Sequence, residues 1–156
     1  MKIPWTRFSR GFWGRAGVAF LILAPFMASC SDPAAPFYAF WEGNLGPIRP
    51  NLVSGRVVAV TQQGKTDIGI TMENGEAAVT YGWRVDSGGC EEVGTIQGGP
   101  ASYPSLLPGQ GGSASAQTSV AALFKPGKRF AARIFHSGAG GFEEVVACGE
   151  LEETSG

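Results

Sequence analysis

The residues of this chain able to do chemistry are few and widely spaced. Among 156 residues there is one histidine, His136, and there are three cysteines, Cys30, Cys90 and Cys148. A hydrolytic triad needs a nucleophile, an imidazole and a third group that orients it. His136 has no such partner at a recognisable spacing, and the sequence holds neither a phosphate-binding loop nor a dinucleotide fingerprint. Arg84 and Asp86 stand two apart in an alternating segment, so a strand turns both to one side, either as a small polar site or as a salt-bridged pair facing solvent. The acidic groups Glu91-Glu92, Glu143-Glu144 and Glu150-Glu152-Glu153 supply hard oxygen, which suits a calcium ion and equally a solvated rim.

Cys30 closes the run Phe26-Met27-Ala28-Ser29-Cys30. Before it lie Lys2, Arg7, Arg10 and Arg15 with no acidic residue, then Val18 to Met27, nearly all apolar. A basic region, a short hydrophobic region and small residues before a cut make an export signal. The apolar run is too short to span a bilayer core, which needs roughly 20 residues. With the cysteine in place the segment resembles the signal peptide of bacterial lipoprotein precursors, although Met27 stands where that pattern prefers Leu. The resemblance implies diacylation of the Cys30 thiol, cleavage before Cys30 and acylation of the freed amine. Two or more acyl chains anchor stably where one is marginal. Ser31 after the cysteine, rather than Asp, favours the outer membrane under the enterobacterial sorting pattern. The expected location is the bacterial cell envelope, with the protein held to a membrane by its lipid and facing the periplasm.

Four of the 12 basic residues precede Cys30 and none of the 13 acidic ones do, which leaves eight cations against 13 anions and a formal charge of −5. That balance excludes the basic stripe of a nucleic-acid binder. The partners expected are the membrane, through the lipid, and envelope proteins. Once Cys30 is committed to lipid, Cys90 and Cys148 remain, and an even pair in an oxidising compartment reads as a disulfide. The alternative, two free thiols serving a soft metal, lacks a neighbouring Cys, His or Met cluster.

These residues must be positioned by β structure. Gly, Ser, Thr and Val are abundant, and short apolar runs are separated by turn residues. Residues 1–29 are the signal and 30–51 a proline-bearing tether, whose Phe37, Tyr38, Phe40 and Trp41 should dock on the domain. Residues 52–151 form the sandwich and 152–156 a tail. Ile68, Ile70 and Met72 alternate, as do Val79, Tyr81, Trp83 and Val85, and Asn74-Gly75 between them predicts a β-hairpin over residues 65–85 with Ile68, Ile70, Val79, Tyr81 and Trp83 inward. Asp86 to Gly112 reads as a long loop pinned by Cys90. Strands follow at Ser113 to Phe124, around Phe130 to Ile134, and at Phe142 to Leu151. Six or seven such strands favour a two-sheet antiparallel sandwich.

Three segments carry a second resemblance. Gly82-Trp83-Arg84-Val85-Asp86 followed by Gly88-Gly89-Cys90, then Arg133-Ile134-Phe135-His136-Ser137, then Gly138-Ala139-Gly140-Gly141 through Val146-Ala147-Cys148-Gly149, together resemble copper/zinc superoxide dismutases over roughly residues 52 to 151. The family's metal strand reads Gly-Phe-His-Val-His and its chain closes on Ala-Cys-Gly. The resemblance implies a Greek-key β-sandwich with a disulfide between Cys90 and Cys148, and it does not carry the activity. Arg84 and Asp86 stand in place of two copper histidines, and residues 91–112 offer no histidine for zinc. One imidazole cannot hold a redox copper, and a guanidinium has no lone pair to donate. The position of the family's anion-steering arginine is Val145, beside Glu143-Glu144.

The expectation is therefore an all-β, superoxide-dismutase-like antiparallel sandwich on a lipid anchor, a non-catalytic binding or structural module without a cofactor. The alternative is a copper- or zinc-handling protein with a reduced site at His136, helped by Asp86.

Overall fold

Alternating apolar side chains organise the chain into strands that each bury one face. In a computed structural model, residues 38–137 and 143–154 are described. The chain divides into two units, Met1–Pro33 and Ala34–Gly156, and every described residue belongs to the second. The signal segment 1–29, Cys30, Phe37, the glycine-rich bend 138–141 and Phe142 lie outside the described residues. Seven strands are present: β1 Tyr38–Pro47, β2 Ser54–Gln62, β3 Lys65–Glu73, β4 Tyr81–Ser87, β5 Ala114–Val120, β6 Phe130–Ser137 and β7 Glu143–Thr154. The only helical element among the described residues is one 3₁₀ turn, Pro100–Ser102.

All pairings are antiparallel, in the order β4-β6-β7-β1-β2-β3-β5. The sheet curls into a sandwich-like all-β fold because β7 serves both halves, pairing with β6 along most of its length and with β1 at two places, around Trp41↔Glu153 and around Gly46↔Cys148. Between those places the two backbones close in. A Cβ on Gly149 would lie 2.2 Å from the Asn44 carbonyl oxygen, and one on Gly43 would lie 2.4 Å from that of Glu150. Only glycine permits that approach at the corner.

Trp41, Val57, Ile68, Met72, Trp83 and Ile134 are among the side chains buried between the halves. The connection from 121 to 129 closes one end: Phe124 stacks on Phe130 at 4.2 Å and meets the edge of Trp41 at 6.2 Å, while the Thr66 hydroxyl donates to the Ala122 carbonyl at 2.6 Å. The long loop after β4 closes the open side. It makes isolated bridges at Asp86↔Ile96 and Tyr81↔Leu106, and its Pro104 carbonyl accepts the Trp83 indole N–H at 2.7 Å.

Three expectations need correction. Residues 38–47 are not tether but β1, with Ala39, Trp41 and Leu45 buried, because the alternation that looked like an aromatic cluster in a linker is that of a half-buried strand. The tail from 152 is in part strand, since β7 reaches Thr154 opposite Phe40. The hairpin over 65–85 does not form. The predicted inward residues Ile68, Ile70, Tyr81 and Trp83 are buried and Val79 packs against them, yet β3 pairs with β2 and β5 while β4 pairs with β6. Asn74 takes positive φ as expected, but the turn there carries the chain from one half of the sheet to the other. The tight hairpin turn is Gln63-Gly64, both at positive φ, between the paired residues Gln62 and Lys65.

Candidate functional site

The outer face of β4 and β6 carries the densest charge chemistry in the described residues. On β4, Tyr81, Trp83 and Val85 face the core, which turns Gly82, Arg84 and Asp86 to the other side. On β6, Arg133 lies opposite Arg84 and Phe135 opposite Gly82, on that same side. Two cations directly across a ladder repel. Asp86 lies between them: Arg84 Nε donates to it at 3.2 Å, and Arg133 Nη1 makes a shorter bond to its Oδ2. The Arg84 guanidinium also lies 4.7 Å from the centre of the Phe135 ring.

Both members of the central pair are out of water, Asp86 at 0% and Arg133 at 2% exposure. A buried guanidinium requires a full set of acceptors. Arg133 Nη2 finds them in the loop that crosses over it, donating to the carbonyls of Gly89 at 2.7 Å, Glu92 at 2.5 Å and, more weakly, Cys90 at 3.4 Å. The same loop is fastened by the Cys90–Cys148 disulfide, with Cα atoms 5.9 Å apart, and Cys148 stands directly opposite Arg133 on β7. Glu150 adds an outer clasp. It takes Arg129 at 2.9 Å and the Cys90 N–H at 3.3 Å, and these hold its carboxyl below the usual range.

The structure thus brings together Arg84, Asp86, Cys90 and Cys148, all singled out from sequence, with Glu150 from one of the acidic groups, and adds Arg133 and Phe135. His136 stands apart. It pairs with Tyr81, whose ring lies 5.7 Å away, and so projects from the core-side face, opposite to Asp86. The register sets His136 and Asp86 on opposite faces of their strands, and Asp86 is engaged by two guanidinium groups. No group of three or more His, Cys, Asp or Glu side chains converges among the described residues, the glutamate doublets included. The donor set around Asp86 does not fit a copper or zinc ion.

Tyr103 packs the long loop onto the core. The Tyr103 ring meets Trp83 edge-on at 4.8 Å, and its hydroxyl donates to the Gln97 carbonyl at 2.7 Å. Burial pushes its phenol up to about 12, too high for it to act as a base near neutrality.

Sequence reasoning does not single out Arg133, because the alternation of Phe130, Ala132 and Ile134 with Arg129, Ala131 and Arg133 marks only which side of the strand is apolar. A signal was present. Phe130 to Phe135 is apolar on both faces apart from Arg133, as befits a strand covered on both sides, and a lone arginine there needs an acid on a neighbouring strand. The chain finds no match among protein-family models, curated proteins or solved structures.

Proposed function

We propose that the protein is a lipid-anchored envelope lipoprotein whose superoxide-dismutase-like sandwich acts as a non-catalytic binding or structural module. The observation that carries the reading is the use made of the two positions that align with copper histidines. Arg84 and Asp86 are held with Arg133 beside a disulfide-fastened loop. Charges held in this way position a loop, and a metal cation at Asp86 would meet the two guanidinium groups already there.

The Greek-key reading draws support from strand order. The chain leaves β3 for β4 in the other half of the sheet and comes back to β5 beside β3, a crossing of the kind that such motifs use. The anchor reading rests on the run ending at Cys30. Its test is Cys30→Ser in cells fed a labelled fatty acid. The wild type should carry label and sediment with membranes, and the variant should lose both; a wild-type chain without lipid mass overturns the anchor. The non-catalytic reading is tested by exposing the purified protein to copper and zinc, desalting it and measuring retained metal per chain and superoxide consumption. Stoichiometric metal lost in His136→Ala, or dismutation above free-metal background, overturns it.

A further inference from the structure

The end of the sandwich where β1 begins differs from the rest of the surface. Tyr38 pairs with Gln62 there, so the turn after β2, the 121–129 connection and the end of β7 share one rim. Three large apolar side chains are exposed on it, Tyr38 at 50%, Phe40 at 44% and Leu123 at 41%. The rim also bears Lys65, Lys125, Lys128 and Arg129, half of the eight cations that follow Cys30. Leu123, Lys125, Lys128 and Arg129 line one shallow groove with Glu92. Lys65 is held by Asp67 and Arg129 by Glu150, each at 2.9 Å, whereas Lys125 and Lys128 make no ion pair among the described residues. Glu92 lies in that groove, and Glu73, Glu76 and Glu144 lie toward the opposite end.

Only seven residues lie between Cys30 and Tyr38, a reach of at most about 29 Å over the eight steps when fully extended. A lipid on Cys30 therefore keeps this rim close to the bilayer. Tyrosine and phenylalanine rings suit the headgroup layer, and lysines are drawn to an anionic surface that repels the acidic remainder of the domain.

We propose that this rim rests on the anionic lipid surface to which Cys30 is anchored, with Tyr38, Phe40 and Leu123 in the headgroup layer and Lys125 and Lys128 against lipid phosphates. The proposal builds on the lipid-anchor reading above, and its test separates the two. The processed, lipidated protein is reconstituted into vesicles of phosphatidylethanolamine and phosphatidylglycerol containing brominated lipid. An environment-sensitive fluorophore is placed through Leu123→Cys, or through Leu107→Cys at the opposite end, where Leu106 pairs with Tyr81. Quenching at 123 should exceed that at 107 several-fold. It should fall when phosphatidylcholine replaces phosphatidylglycerol, or when Lys125→Glu and Lys128→Glu are combined.

A chain that floats with vesicles while both labels stay equally unquenched overturns the docking and leaves the anchor standing. A chain that does not float overturns the anchor and the docking together. Quenching at 123 that ignores both phosphatidylglycerol and the lysine changes overturns the anionic partner. Amide exchange on the unlabelled protein supplies a second reading: residues 121–129 should slow on anionic vesicles and residues 73–78 should not, and equal behaviour of the two segments overturns the docking.

Discussion

Arg133 lies directly opposite Arg84 across the β4–β6 ladder, yet its guanidinium reaches diagonally to Asp86, the acid that Arg84 also engages. One carboxylate thus reconciles two cations that would otherwise face each other, and it does so with no exposure to water. The arrangement makes the outer face of this half of the sheet a tied-down structural element.

Removing the shared acid should be costly, because it leaves a guanidinium buried without its counter-charge. Asp86→Ala is expected to lose about 3–5 kcal/mol in urea unfolding. The double change Asp86→Leu with Arg133→Met, which removes both charges and keeps volume, should recover most of that loss or all of it. If Asp86→Ala unfolds at the wild-type midpoint, the pair has no structural role.

The disulfide and the buried arginine should behave as one unit, since the carbonyls of Gly89, Cys90 and Glu92 that receive Arg133 belong to the loop that Cys90 fastens. Cys148→Ser should cost about 4 kcal/mol from unfolded-chain entropy. Combined with Arg133→Met it should depart from additivity by about 0.5–3 kcal/mol. Strict additivity in a double-mutant cycle would mean that the loop holds its place without the arginine.

The corner of the sheet offers a steric test. Gly149→Ala puts a methyl group 2.2 Å from the Asn44 carbonyl oxygen and should cost about 1–3 kcal/mol or more as the backbones are forced apart. Gly109→Ala meets nothing within 4 Å and should stay within about 0.5 kcal/mol of wild type. Thermal melts of the two variants compare them directly; equal melting temperatures would refute the close packing of β1 on β7.

Stability should fall at both extremes of pH, for separate reasons. Lys65, then Ser119 and Gln62, hold the Asp67 carboxyl down at about 2, against 3.8 for the free group, and Arg129 lowers Glu150. A depressed carboxyl stabilises the fold above its unfolded value, and that contribution disappears as the pH drops from about 4 toward 2. Tyr103 works in the other direction. Raised by burial from 10.0 to about 12, it favours the fold below pH 10, and the gain is lost as the pH climbs through 12. Phenolate absorbance should show a late-titrating component that disappears in Tyr103→Phe. Identical titration curves for the two proteins would contradict the buried ring.

Much of the secondary structure was written locally. The inward residues of β3 and β4, the loop after Asp86, the late strands and the pairing of Cys90 with Cys148 could be read from alternation, turn residues and cysteine count, because these depend on neighbours within a few positions or on the chemistry of one residue type. The strandedness of residues 38–47 was legible too, in the spacing of Ala39, Trp41 and Leu45, but the prolines around it pointed to a tether.

What only the tertiary structure decided is which strands meet and what lies over them. Alternation tells which side of a strand is apolar but does not identify its partner, so β3 was joined to β4 when it belongs between β2 and β5. For the same reason alternation does not show that Arg133 is covered, or that His136 and Asp86 face opposite sides of their strands. A charged residue on a strand is solvated unless a distant segment covers it, and here the cover is a loop some 40 residues earlier, held down by a cysteine on another strand. Burial of that kind follows from long-range closure of the chain, which no local pattern encodes.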